Sequence, residues 1–151
     1  MTDQGYQDDI DVVVFHLREE FSIDVTFGND EINAYWYATP ADCISVSTKQ
    51  KKRLQLYCLL HEAGHAIIRM RDNYDTLYPY GAKEKSKTIS RRADVVREEI
   101  VAWDEGEKLT RQLGIKLDYK LWHNFSKKHI FEYIKWAHDP DNYKISGLID
   151  E

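Results

Sequence analysis

Apolar residues recur at helical spacing in four stretches of this 151-residue chain, and they alternate with polar residues in shorter runs between the first stretch and the second. From Asp8 to Phe21, Ile10, Val13, Val14, Leu17 and Phe21 share a face opposite Arg18, Glu19 and Glu20, which predicts an amphipathic helix packed on a sheet. Ile23 to Phe27 alternates and ends at the turn signal Gly28-Asn29-Asp30. Ile32 to Tyr37 is rich in aromatics, and Cys43 to Thr48 alternates Ile44 and Val46 with serines after a turn at Pro40-Ala41-Asp42. These runs predict three short antiparallel strands. Leu54, Tyr57, Cys58 and His61 then form a stripe flanked by Leu59, Leu60, Ala66, Ile67 and Ile68, the pattern of a half-buried helix over roughly Lys49 to Arg71. Asp72 to Arg92 loses the period and reads as a polar loop, long enough to cover a site or to move. Helical spacing returns from Ala93 to Leu113, with Gly114 as its stop, and from Asp118 to His138, stopped by Asp139-Pro140; the tail from Asp141 is expected to be loose. The order predicts an α+β fold in one domain spanning residues 1–151.

The candidate chemistry lies on the second helix, at His61-Glu62-Ala63-Gly64-His65. A helix turns once in 3.6 residues, so His61 and His65 project from one face and both rings can reach one ion. Glu62 lies about 100° around the helix, where its carboxylate misses the metal yet reaches a water on it, the station of a general base. With six histidines in the chain, chance would give about 0.02 such matches in a shuffled sequence, so coincidence is a weak competitor.

Catalytic zinc takes three protein ligands and leaves a position to water, so the two histidines need a partner. The helix from Ala93 offers Arg97-Glu98-Glu99-Ile100-Val101-Ala102-Trp103-Asp104. Ala102 and Trp103 share a face with Glu99, which makes Glu99 the expected third ligand; Glu98, about 100° away, is expected to turn toward solvent and is the alternate. His123, His129 and His138 are rival ligands, and Asp104 is a candidate to orient a histidine N–H. Cys58, three residues before His61, is expected to pack as a small hydrophobe rather than approach the metal. Tyr74, Tyr78 and Tyr80 follow the motif helix, and packing under the loop is expected for each ahead of a role at a substrate oxyanion.

Charge and composition narrow the class. The net charge of −5 argues against a general nucleic-acid surface. Lys49, Lys51, Lys52 and Arg53 read as a solvated helix start, and Lys83, Lys85, Lys87, Arg91 and Arg92 as a solvated loop. Cys43 and Cys58 are too few for a disulfide framework, and neither a secretory signal nor a membrane span is evident, so a cytoplasmic protein without a membrane partner is expected.

On Cys43-Ile-Ser-Val-Ser47, Leu60-His-Glu-Ala-Gly-His-Ala66 and Glu99-Ile-Val-Ala-Trp103, the chain resembles a small gluzincin-type zinc metallopeptidase. It is most similar over Cys43 to Gly114 to the ImmA/IrrE-like peptidases and related phage and prokaryotic proteins. The resemblance implies a zincin-like fold with Zn2+ on His61, His65 and Glu99, Glu62 as base, and a dedicated intracellular protein or peptide as substrate. The strand of Ile44 and Val46 would stand beside the cleft and offer an edge to an extended peptide. Two readings stand beside the peptidase: a zinc-stabilised protein-binding module with little or no hydrolysis, and a zinc hydrolase of nucleic acid or another non-peptide ester, which the acidic charge disfavours.

Overall fold

The computed structural model describes residues 1–37, 41–81 and 87–145. Pro40 of the expected turn, Lys83 and Lys85 of the second basic cluster, and the tail beyond 145 lie outside the described residues.

The first helix, α1, covers Asp3–Phe21 and so begins five residues before the apolar period does. Its extra turn rests on polar interactions to which periodicity is blind. Thr2 caps the end by accepting from the Gly5 N–H at 3.1 Å, and Gln4 and Gln7 donate to Asp8 and Asp11, each four residues on. The helix closes at Ser22, whose φ of 55° turns the chain left-handed while the Ser22 and Ile23 N–H groups return to the Arg18 and Leu17 carbonyls.

Three strands follow, β1 (Asp24–Gly28), β2 (Ala34–Trp36) and β3 (Cys43–Ser47), but the sheet is mixed rather than antiparallel. Its order is β1-β3-β2: β3 inserts between the other two, parallel to β1 with Asp24 opposite Cys43 and antiparallel to β2 with Tyr35 opposite Ile44. Burial explains the exchange. Ile44, Ser45 and Val46 are all buried, so β3 needs partners along both edges, whereas β1 and β2 keep partly solvated faces and suit the rim. Ser45 is accommodated in this interior because its hydroxyl donates to the Ile32 carbonyl at 2.5 Å and accepts from Trp36 Nε1 at 2.9 Å. The expectation that the Ile44–Val46 strand offers an open edge is therefore overturned; the free edge beside the motif helix belongs to β2.

The motif helix, α2 (Lys52–Arg69), is more than half-buried: every residue from Gln55 to Gly64 is buried. It is the hub of the molecule, with α1, the sheet, and the later helices against different sides. Ile10, Val13 and Leu17 of α1, Ile44 and Val46 of β3, and Leu56, Leu59, Leu60 and Ala63 of α2 form one core with Trp103, Leu109 and Trp122. Among its described residues the polar stretch after α2 contains a single helical turn, α3 (Tyr74–Leu77), and α4 (Ile89–Leu113) starts four residues earlier than its apolar period because Thr88 accepts from the Arg91 N–H at 3.2 Å. Gly114 ends α4 at a φ of 72°, and Asp118 caps α5 (Tyr119–His138) by accepting from Leu121 N–H. Among the described residues no helix is long and apolar enough to cross a membrane.

Glycines set how closely α2 and α4 approach. A Cβ on Gly64 would stand 2.0 Å from the Ala102 carbonyl oxygen, and one on Gly106 would stand 2.7 Å from that of Leu60. Backbone thus lies directly on backbone at two points of the crossing. Gly64→Ala is expected to cost about 3 kcal/mol or more, or to prevent folding, because the added Cβ meets main chain that cannot turn aside. Gly114→Ala, which meets nothing within 4 Å but retains a left-handed φ, should cost about 1 kcal/mol. Urea denaturation followed by circular dichroism compares the two; an equally mild effect at Gly64 would mean that the helices have room to separate.

Candidate metal centre

The α2–α4 crossing brings His61, His65 and Glu99 together. His61 Nε2 lies 2.7 Å from Glu99 Oε1, His65 Nε2 lies 3.1 Å from Glu99 Oε2, and the two imidazole Nε2 atoms are 3.1 Å apart. The three side chains form a group able to hold a metal ion. Donors on a four-coordinate ion with bonds near 2.1 Å stand about 3.4 Å apart, and these contacts, one to each Glu99 oxygen, are slightly shorter than that. Glu99 is 2% exposed, and despite its nearness to His61 its Oε1 has no directed hydrogen bond. A buried carboxylate with one oxygen facing each ring nitrogen, and one of the two without a directed hydrogen bond, is an arrangement able to accept a cation.

Glu98 does not face solvent. It is 5% exposed, with Oε2 2.5 Å from His65 Nδ1 and Oε1 accepting from the Tyr74 hydroxyl at 2.6 Å; Arg69 Nε donates to Oε2 at 3.4 Å. The 100° rotation from Glu99 is real, but it leads under α3 rather than outward, since α3 closes over that side of α4. The partner fixes the imidazole: Nδ1–H donated to Glu98 turns Nε2 toward Glu99 and His61, so a cation bound there would take the place of the Nε2 proton. Glu98 thus takes the orienting role considered for Asp104, which is exposed.

The electrostatics follow from the same contacts. Burial alone would raise both carboxyls; the hydrogen bond and charge of His65, with Arg69 and Tyr74, outweigh it and bring Glu98 down to about 2. His61 and His65 likewise outweigh burial at Glu99 and hold it well below the usual carboxylate range. Burial pushes His65 down, but Glu99 and Glu98 reverse the sign and raise it well above an ordinary histidine. The two glutamates are therefore anionic at neutral pH and supply negative charge for a cation.

His61 is fixed differently. Its ring stacks on the Trp103 indole with centroids 4.0 Å apart and planes 5° from parallel, and Trp103 is packed edge-on against Trp122 and Phe125. Glu62 Oε1 is 3.6 Å from His61 Nδ1, beyond hydrogen-bond distance, which leaves the carboxylate available to the cleft it lines.

That cleft, about 790 Å³, runs between β2 and α5 over the donor group. Compared with protein-family models, curated proteins and solved structures, the chain matches none. Assignment therefore rests on the geometry of its own residues.

Of the rival ligands, His123 is an exposed residue 2.7 Å from Glu107 Oε1, and His138 is exposed at the end of α5. His129 lines the cleft and contacts Trp103 but is not in the converging group; burial, then the neighbouring His61, lower its pKa and keep it neutral. Tyr133, four residues on along the same α5 face, was not singled out from the sequence, where it looked like one of several aromatics at core spacing. It too lines the cleft, and burial followed by the charges of Glu99, Glu62 and Glu98 holds its phenol protonated well above the usual tyrosine range. Tyr74 and Tyr78 are buried and Tyr80 is exposed, and none of the three lines the cleft. Cys58 is buried, donates to Gln50 Oε1 at 3.6 Å, and is pushed up to about 12 by burial and by Glu62, so it remains a thiol.

One metal per chain is the expected stoichiometry, measured by atomic emission on purified, reconstituted protein. Glu99→Ala should lose the ion. Glu98→Gln should retain it with affinity lowered about 10- to 100-fold, because the orienting acceptor is weakened while all three donors remain. Undiminished binding in Glu99→Ala would remove that residue from the donor set.

Proposed function

We propose that this protein is a zinc-dependent metallopeptidase of the gluzincin type, with a zincin-like arrangement of α2, β2 and α4, acting on a specific protein or peptide substrate. The observation that carries the reading is the convergence of two imidazole Nε2 atoms and a buried carboxylate beside Glu62 on the wall of an open cleft. The donor set of two nitrogens and one oxygen suits Zn2+, which when bound would acidify a water and polarise a carbonyl.

The chain's own groups then divide the work. Glu62 takes the proton of the attacking water and delivers it to the leaving amine, so its carboxylate cycles once per turnover. Glu98 and Trp103 hold the two imidazoles in place, so the donors do not have to be reorganised during the reaction. Tyr133, which lines the same cleft one helical turn from His129, is the group assigned to donate its O–H to the oxygen that becomes negative as the carbonyl is attacked. The outer edge of β2, unpaired among the described residues and exposed to the same cleft, supports an extended substrate that adds to the sheet through main-chain hydrogen bonds. Ser45, on the central strand, has no part in this.

Glu62→Gln tests the reading against that of a non-hydrolytic zinc module. In the peptidase it abolishes cleavage of a peptide library while zinc content stays at one per chain; in a module, partner binding is unchanged and no cleavage is seen even in the wild type. Tyr133→Phe is expected to lower kcat about 100- to 1000-fold with little change in KM, the behaviour of a donor engaged mainly in the transition state. A fall in kcat/KM that comes entirely from KM would instead make Tyr133 a substrate-binding group.

A further inference from the structure

The stripe of α2 that carries the donors continues one turn further, to Arg69. Residues 61, 65 and 69 follow at intervals of four, and all three side chains line the cleft. Arg69 is held on three sides. Its guanidinium lies 5.8 Å from the Tyr35 ring centroid and 5.9 Å from that of Tyr74, and its Nε donates to Glu98 at 3.4 Å. Both rings are themselves tethered: the Tyr35 hydroxyl donates to Asp42 at 2.5 Å and the Tyr74 hydroxyl to Glu98 at 2.6 Å. The side chain is 27% exposed.

This anchoring uses one edge of the guanidinium and leaves the other. Nη1 and Nη2 hydrogen-bond to none of the described residues, and the partly exposed side chain lines the cleft. Two parallel N–H donors on a fixed planar cation match a carboxylate in two-point contact, and the aromatic cradle has already ordered the side chain. Arg91 and Lys144 add positive charge to a cleft that is also lined by Glu31, Glu132 and the site glutamates.

We propose that Arg69 is a specificity residue that binds a carboxylate of the substrate; this rests on the peptidase reading above. Four residues of helix place the Arg69 backbone about 6 Å along the axis from His65. That distance corresponds to about two residues of extended peptide, so the bound carboxylate lies within one or two residues of the bond that breaks. It is either the C-terminal carboxylate of the substrate or the side chain of an aspartate or glutamate. Both present the same two oxygens.

The test begins with the zinc-loaded wild type and a diverse peptide library, with cleavage sites read by mass spectrometry. Each cleaved sequence is then resynthesised in matched forms, with a C-terminal acid or amide, and with Asp or Glu against Asn or Gln. The wild type is expected to prefer one carboxylate form by about 10- to 100-fold in kcat/KM, the range of a charge-assisted pair. Arg69→Gln should bring the ratio close to one, and Arg69→Lys should keep part of it, because the charge remains and the fork is lost. A purely structural role would lower both matched forms alike and leave their ratio unchanged. Dependence on the C-terminal acid identifies a carboxypeptidase-like specificity, and dependence on a side chain identifies cleavage beside an acidic residue. Equal cleavage by the wild type within both matched series, C-terminal acid against amide and Asp or Glu against Asn or Gln, or a ratio that survives in Arg69→Gln, overturns the proposal and leaves the peptidase standing. Absence of cleavage of any peptide by the zinc-loaded wild type overturns the peptidase reading, and this proposal with it.

Discussion

The geometry of the site depends on main chain touching main chain. Gly64 rests on the Ala102 carbonyl and Gly106 on that of Leu60, so α4 is seated against α2 at a depth that no side chain other than hydrogen would permit. Glu99 is three residues before Ala102, one turn away, and His61 and His65 flank Gly64 by three residues and one. The contact that closes the crossing is therefore nearly the same contact that brings the donors together. A site assembled in this way is fixed by rigid elements rather than by loops, which keeps the donors in place before any ligand arrives.

The same depth creates an electrostatic requirement. Glu98, Glu99 and Glu62 are all buried within two adjoining turns of helix, and a cluster of carboxylates removed from water is strongly unfavourable unless positive charge accompanies it. The protein answers this unevenly. Glu98 receives a phenol, a guanidinium and an imidazole N–H, whereas Glu99 faces only ring nitrogens and keeps an oxygen without a hydrogen bond. Neighbouring glutamates thus do different work: one is satisfied by the chain and orients His65, the other is left incomplete toward the cleft.

The sequence made much of this legible because periodicity survives burial. The spacing of His61 and His65, the face shared by Glu99, Ala102 and Trp103, and the stops at Gly114 and Asp139 all follow from local geometry. Helix starts were less legible, since Thr2 and Thr88 extend α1 and α4 through polar turns that carry no apolar pattern. Strand order was not legible at all: alternation along Cys43 to Thr48 identifies a strand but does not reveal that Ser45 is also buried, and that burial is what puts β3 in the centre. Glu98 was misplaced for a related reason. A helical wheel gives the angle between two residues, but only the tertiary structure tells whether the second direction meets water or, as here, Tyr74. Arg69 lay on the donor stripe throughout, yet its use requires Tyr35 and Tyr74, which come from elements on opposite sides of it in sequence.

The stack of Trp103 on His61 has an optical consequence. Indole emission responds to what lies against its face, and an imidazole at 4.0 Å is close enough for charge on that ring to alter the excited state. Among the described residues, Trp36, Trp122 and Trp136 have no ring contact with either motif histidine, so changes at His61 act on one fluorophore in particular. The molecule carries its own reporter of the state of His61, built from the packing that holds the ring.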